Sequence, residues 1–246
     1  MGYLENLNYN KITKYLHSRR YQWVIKKINL RNNIINAQNK CIKIVDIGCG
    51  HCEVFNELIK TDLNFEYLGI EPKESLIKKA KINYSNFQRF NIIEGLADSL
   101  IEKLEEVDYF LALETLEHIP ENNVLDIILK IKEKRPKAFL FTVPNEIGPA
   151  ILIKNLGSFL MSYKRYKEYS FKETLNAGLY KIHKLPPHSE QKGNSFMVGH
   201  KGFDYRFLIY QIHQHMQIKS IGKNPFDWIP SLVAPSIFVE CIPRDN

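Results

Sequence analysis

Between residues 43 and 143 the chain alternates between two kinds of segment, and few architectures accept that pattern. Short β-branched and aromatic runs fall at 43–47, 65–70, 89–93, 107–113 and 138–143. Between them lie segments with helical spacing of their apolar residues, at 53–60, at 74–82, after Asp98, and at 121–133. Strands joined through helices run parallel, with right-handed crossovers, and the helices cover both faces of the sheet. A ligand of such a sheet binds outside the carboxyl ends of the strands, near the switch point. The chain is therefore expected to be an α/β protein with a Rossmann-like, seven-stranded, mostly parallel sheet whose site lies at those ends.

The strand ends carry the informative residues. After the first strand comes Asp46-Ile47-Gly48-Cys49-Gly50-His51-Cys52, a tight turn that brings backbone close to a ligand. The second strand ends at Glu71-Pro72, where an acidic side chain can accept both hydroxyls of a ribose. The third leads to Leu96-Ala97, an apolar slot for a planar base. Cys49 and Cys52 also spell a dithiol motif. That alternative is disfavoured, because further strand–helix units follow the motif and no second redox element accompanies it.

Glu114-Thr115-Leu116-Glu117-His118 follows the fourth strand. Glu114, Glu117 and His118 are spaced i, i+3, i+4, so a helical turn would place all three on one side. Two carboxylates and an imidazole so placed can hold Mg²⁺ or another divalent ion, or supply a general base.

With these motifs the chain resembles the class I S-adenosylmethionine-dependent methyltransferases over about 43–143 and again over 200–242. The resemblance implies that Gly48 and Gly50 pass beside the methionine part of S-adenosylmethionine and that Asp46 supports its ammonium. Glu71 would hold the ribose, Pro72, Leu96 and Ala97 would surround the adenine, and Glu114 would brace the cofactor. Cys52 stands where the family's loop has a third glycine. The Glu-x-x-Glu-His spacing resembles two subfamilies, the ubiquinone-biosynthesis O-methyltransferases and the small-RNA 3′-terminal 2′-O-methyltransferases. Both carry a further histidine after the fifth strand, matched here by His200. The implied catalytic residues are Glu117, His118 and His200, and the implied metal ligands are Glu114, Glu117, His118 and His200.

The remaining segments frame this core. Lys11 to Ile28 reads as a helix against the core or over the cleft, and Asn29 to Lys40 as a polar connector, so 1–40 precede a methyltransferase domain at 41–246. Residues 145–199 form a helical and loop insertion, a substrate lid or a membrane-contact segment. Its apolar run from Ile147 to Met161, followed by Lys164, Arg165 and Lys167, suits peripheral contact with an anionic bilayer through 147–167. Tyr163, Tyr166, Tyr169 and Phe171 among basic residues keep an RNA substrate open. The last two strands, 216–221 and 235–242, have no room for a crossover helix and are expected to be antiparallel. His213 and His215 read as surface or packing residues.

Bulk properties exclude more than they identify. Four cysteines are too few for a disulfide framework, and no apolar run is long enough to span a membrane. A cytoplasmic protein is expected, peripheral at the inner membrane face if the insertion binds lipid. The net charge of +7 comes from dispersed lysines, which disfavours nucleic acid as partner. The expected activity is methyl transfer to a hydroxyl of a small, lipid-like or glycan acceptor. The alternatives are an RNA 3′-terminal 2′-O-methyltransferase and a non-catalytic cofactor-binding protein.

Overall fold

The computed structural model describes residues 11–34, 40–160, 168–186, 188 and 199–244. In chain order the elements are α1 (Lys11–Ile34), β1 (Ile42–Ile47), α2 (Glu53–Leu58), β2 (Phe65–Glu71), α3 (Glu74–Tyr84), β3 (Phe90–Glu94), α4 (Ala97–Leu100) and β4 (Tyr109–Leu113). A three-residue 3₁₀ turn (Leu116–His118) leads to α5 (Glu121–Glu133) and β5 (Ala138–Pro144). The insertion contributes α6 (Pro149–Leu160), α7 (Phe171–Gly178) and a 3₁₀ turn (Ile182–Lys184); then come α8 (Tyr205–His215), β6 (Met216–Lys223) and β7 (Ser236–Pro243).

The seven strands lie in the order β3-β2-β1-β4-β5-β7-β6. β1 to β5 pair in parallel, and β7 runs antiparallel to both β5 and β6. The expected sheet is thus present, with the antiparallel strand inside it and β6 at the edge. Strand side chains alternate between two cores, as a pleated sheet covered on both faces requires. Ile44, Tyr109, Leu111 and Leu140 face one core with α1, α2 and α3. Val45, Phe110, Ala112, Phe139 and Phe141 face the other with α5 and α8.

One boundary differs from expectation. The polar stretch after Ile28 does not begin a connector; α1 continues to Ile34. Tertiary contacts supply what its composition lacks. Asn32 is buried and its Oδ1 accepts the Tyr109 hydroxyl at 2.8 Å. Arg31 and Lys27 both pair with Glu240 of β7, at 2.6 and 2.9 Å.

The insertion is a helix pair with a small core of its own. Ile151 of α6 packs with Tyr169, Ala177 and Leu185. Asn155 Nδ2 donates to Thr174 Oγ1 of α7 at 2.9 Å, which joins the two helices. The opposite stripe of α6, Leu152, Ile153, Leu156 and Phe159, is exposed. Tyr163 to Lys167, on which part of the membrane and RNA readings rests, lie outside the described residues. No helix among the described residues is long and apolar enough to cross a membrane.

Candidate active site

The loop after β1 folds back over the end of β2. The Gly48 and Cys49 N–H groups both donate to the Ile70 carbonyl, at 2.8 and 3.2 Å. Gly48 has φ +65°, and a Cβ there would lie 2.3 Å from Thr115 Cγ2, so this position takes glycine alone. Gly50, at φ +57°, has no atom within 4 Å of where a Cβ would stand, so its backbone opens to free space. Cys52, at φ 58°, adopts the left-handed conformation that a third glycine would take. Its side chain is fully buried in the core of the α1–α3 face, 3.5 Å from Cys49 Sγ, and leaves the cleft clear.

Glu71 closes the same loop. Its Oε2 accepts the Gly50 N–H at 2.9 Å and its Oε1 the Lys73 N–H at 3.0 Å. Burial raises its pKa, and those two N–H bonds oppose the rise. Each oxygen keeps a second lone pair for a ligand hydroxyl. Asp46 is buried, and its Oδ2 accepts the Tyr67 hydroxyl at 2.7 Å. Burial pushes its carboxyl up to about 7; the Tyr67 bond opposes the shift, and nearby Glu71 and Glu53 add to it. Pro72 is half-buried, Leu96 is exposed at the lip and Ala97 is buried at the start of α4.

Glu114 departs from the sequence expectation. It sits at φ 54°, with its N–H donated to the Thr142 carbonyl (2.9 Å) and hydroxyl (3.1 Å). The left-handed residue breaks any helical turn running on to Glu117. The Glu114 carboxylate instead lies 3.9 Å from the Arg20 guanidinium of α1. A charged residue of such a helix is ordinarily expected on its outer face. Yet Arg20, Val24 and Ile28 are spaced i, i+4, i+8, and all three are buried. A charge on the apolar stripe was the available signal. Beside it, burial lowers His17 to a pKa of about 4, helped by the Arg20 charge and opposed by that of Glu114. Tyr21 donates to Glu53 Oε2 at 2.6 Å, which ties α1 to the first residue of α2.

The second group lies just beyond. Glu117, His118 and His200 place one ligand atom each within 4.8 Å of one another, and Glu114 stands outside this set. The two imidazole rings are 4.5 Å apart at 68°. Glu117 is fully buried, and neither carboxylate oxygen has a hydrogen-bond partner among the described residues. Burial first, then the Glu114 charge, raise its pKa well above the carboxylate range. A proton or a cation relieves such a group. Two imidazoles and a carboxylate at this spacing fit a divalent ion.

Segments that sequence reasoning passed over hold this cluster. His188 Nε2 donates to the Glu117 carbonyl at 2.7 Å. The Tyr169 hydroxyl donates to the His200 carbonyl at 3.1 Å. Lys201 pairs with Glu173, at 2.9 Å, on the first turn of α7, where Ser170 and Glu173 form a reciprocal cap. The insertion thus fixes the segment that bears His200.

Cys49 and Cys52 lie in the reverse of a redox environment. The Cys52 hydrogen bond and burial raise the Cys49 pKa well above its usual value, whereas a dithiol catalyst needs an accessible thiolate.

Comparison with known proteins agrees with this fold. Residues 44–133 match the family profile described as a methyltransferase domain. No curated protein matches the sequence. Among solved structures, an S-adenosylmethionine-dependent methyltransferase described as such from Listeria monocytogenes is similar, at 13% identity, 87% coverage of this chain, 98% of that one and a TM-score of 0.56. Magnesium protoporphyrin IX methyltransferase from Synechocystis PCC 6803, with bound SAH, is also similar (13%, 96% and 88%, TM-score 0.54). So is the small RNA methyltransferase HEN1, of which the match covers 25% (13%, 90% of this chain, TM-score 0.54). At these identities the likeness is one of fold.

Proposed function

We propose that this chain, which carries a class I S-adenosylmethionine-dependent methyltransferase domain, moves the cofactor's methyl group onto a hydroxyl of a small, lipid-like or glycan acceptor. The convergence of Glu117, His118 and His200 at the end of β4 carries the reading. A pure cofactor-binding protein has no use for two imidazoles packed on a buried carboxylate beside the cleft.

In the reaction the acceptor oxygen attacks the methyl carbon in line with the sulfonium. The C–O bond forms, the C–S bond breaks with its electron pair going to sulfur, and the hydroxyl proton leaves. His118 takes that proton, and Glu117 and His200 orient the ring and the oxygen. The protein's main contribution is placing the two reactants together. Alternatively, Glu117, His118 and His200 would hold a divalent ion, whose positive charge in place of a free His118 base would favour the ionised hydroxyl. On the cofactor side, Gly48 and Gly50 would border the methionine part, Asp46 would hold its ammonium and Arg20 its carboxylate. Glu71 would take the ribose and Pro72, Leu96 and Ala97 the adenine, while Glu114 holds Arg20 in place.

Labelled methyl transfer to a panel of hydroxyl compounds tests this reading. His118→Ala is expected to lose at least 100-fold in transfer while binding S-adenosylhomocysteine as the parent does. Full activity in His118→Ala removes that residue from the mechanism, and cofactor binding without transfer to any hydroxyl leaves only a binding protein. The likeness to a small RNA methyltransferase supports a second reading, transfer to the 2′-hydroxyl of an RNA end. Transfer to an RNA oligonucleotide that disappears after periodate treatment would select it. The exposed stripe on α6 further suits an acceptor at a lipid surface. Co-sedimentation with anionic but not neutral vesicles checks that contact.

A further inference from the structure

Behind the Leu116–Ile119 turn lies a cavity of about 320 Å³ that the catalytic set does not use. Buried Leu116, Val124, Phe203 and Leu208 form its floor, and half-exposed Phe207 stands among the lining residues. Ile182 and His188 of the insertion complete the wall. A dry apolar cavity of roughly 150 Å³ accepts benzene, so this volume has room for about two fused rings. It is also at the lower end of ordinary small-molecule pockets, roughly 300–1,000 Å³.

We infer that this cavity seats a neutral, ring-bearing apolar part of the methyl acceptor. The inference rests on the hydroxyl-transfer reading above and narrows its substrate class. Charge is the first reason. Among the described residues no lysine or arginine lines the cavity, while Glu121 and Asp204 do. Both acids already have partners: Glu121 accepts from Gln211 at 2.9 Å, and Asp204 is bridged by Arg206 at 2.8 Å. A phosphate or carboxylate in the cavity would meet these acids and, among the described lining residues, no lysine or arginine.

Connection to the reacting groups is the second reason. Leu116 and Ile119 flank Glu117 and His118 in sequence, and Gly202 and Phe203 follow His200, so the two segments that carry the cluster also form the cavity walls. His188 links them, with Nε2 on the Glu117 carbonyl at 2.7 Å and its ring 5.4 Å from that of Phe203. A ring held here would lean on both segments that carry the cluster.

2-Naphthol, a neutral two-ring hydroxyl compound with its own fluorescence, is the probe. The full chain loaded with S-adenosylhomocysteine is expected to bind it saturably at one site. Ile182→Trp, which fills the cavity from the insertion side, is expected to weaken binding at least tenfold, and Phe207→Ala severalfold. Both variants should bind S-adenosylhomocysteine as the parent does, which certifies their fold. Adenosine 5′-monophosphate should not compete. Absence of saturable binding, equal binding in Ile182→Trp, or displacement by the nucleotide would each overturn the inference. Cavity-dependent binding that neither leads to methyl transfer to the naphthol hydroxyl nor inhibits transfer to another hydroxyl acceptor would also overturn it, whereas no transfer to any hydroxyl compound counts against the hydroxyl-transfer reading instead.

Discussion

Gly48 is the residue at which backbone and side-chain demands coincide. Any Cβ there meets Thr115, and a left-handed φ costs a non-glycine residue about 1–2 kcal/mol before that clash is relieved. Gly48→Ala is therefore expected to weaken S-adenosylhomocysteine binding at least tenfold by titration calorimetry. Asp46 gives a pH signature. Its folded pKa, about 7, lies above the ordinary value of 3.8, so the folded state holds the proton more tightly. The melting temperature of the ligand-free chain should fall as pH rises from about 4 to about 7, and this fall should be shallower in Asp46→Asn. A cofactor ammonium favours the ionised form, so S-adenosylhomocysteine should bind more tightly at pH 7.5 than at 5.5. Equal affinity at the two values would separate Asp46 from the ammonium. The loop glycines and both strand-end acids were legible as sequence, because chain connectivity alone brings them to one edge. Arg20 was not, since its place depends on which stripe of α1 is buried.

Among the elements, α1 shows how tertiary contacts override composition. An Asn-rich stretch with no clear apolar period became helix because Asn32 meets the Tyr109 hydroxyl and Arg31 meets Glu240. Asn32→Ala leaves a buried hydroxyl unpaired and should destabilise the fold by about 1–3 kcal/mol in urea titration. A value near zero would mean that water replaces the amide. The Leu116–His118 turn teaches the converse. Spacing alone grouped Glu114 with Glu117 and His118, but a single left-handed residue separated them. Periodicity arguments assume regular backbone, and functional strand ends are where backbone stops being regular.

For the whole molecule, the cofactor should act as a clamp, because the groups proposed to bind it come from α1, β1, β2 and β4 at once. Saturation at 100 times Kd adds roughly 2.7 kcal/mol, which for a chain of this size raises Tm by about 5–11 °C. Differential scanning fluorimetry with S-adenosylhomocysteine measures it, and hydrogen exchange should slow over residues 14–24 as Arg20 is engaged. The mostly parallel sheet and its antiparallel last strands were readable from the pattern of segments; the strand order was not. The cavity was not, because it forms between the starts of α5 and α8 and the insertion, three places far apart in sequence.

The position of β7 bears on how the chain is made. β5 acquires one neighbour, β4, early, and its other neighbour is last in chain order. At about 5–20 residues per second, the ribosome needs on the order of 5–20 seconds to pass from Pro144 to Ser236. Throughout that interval the nascent chain displays an unpaired edge on the largely apolar β5, which a holdase or a neighbouring nascent chain can engage. Glu240, the anchor of α1, arrives later still. The strand that fills the last place beside β5 thus also anchors the helix that carries Arg20 to Glu114, so the proposed site is completed only when the chain nears its end.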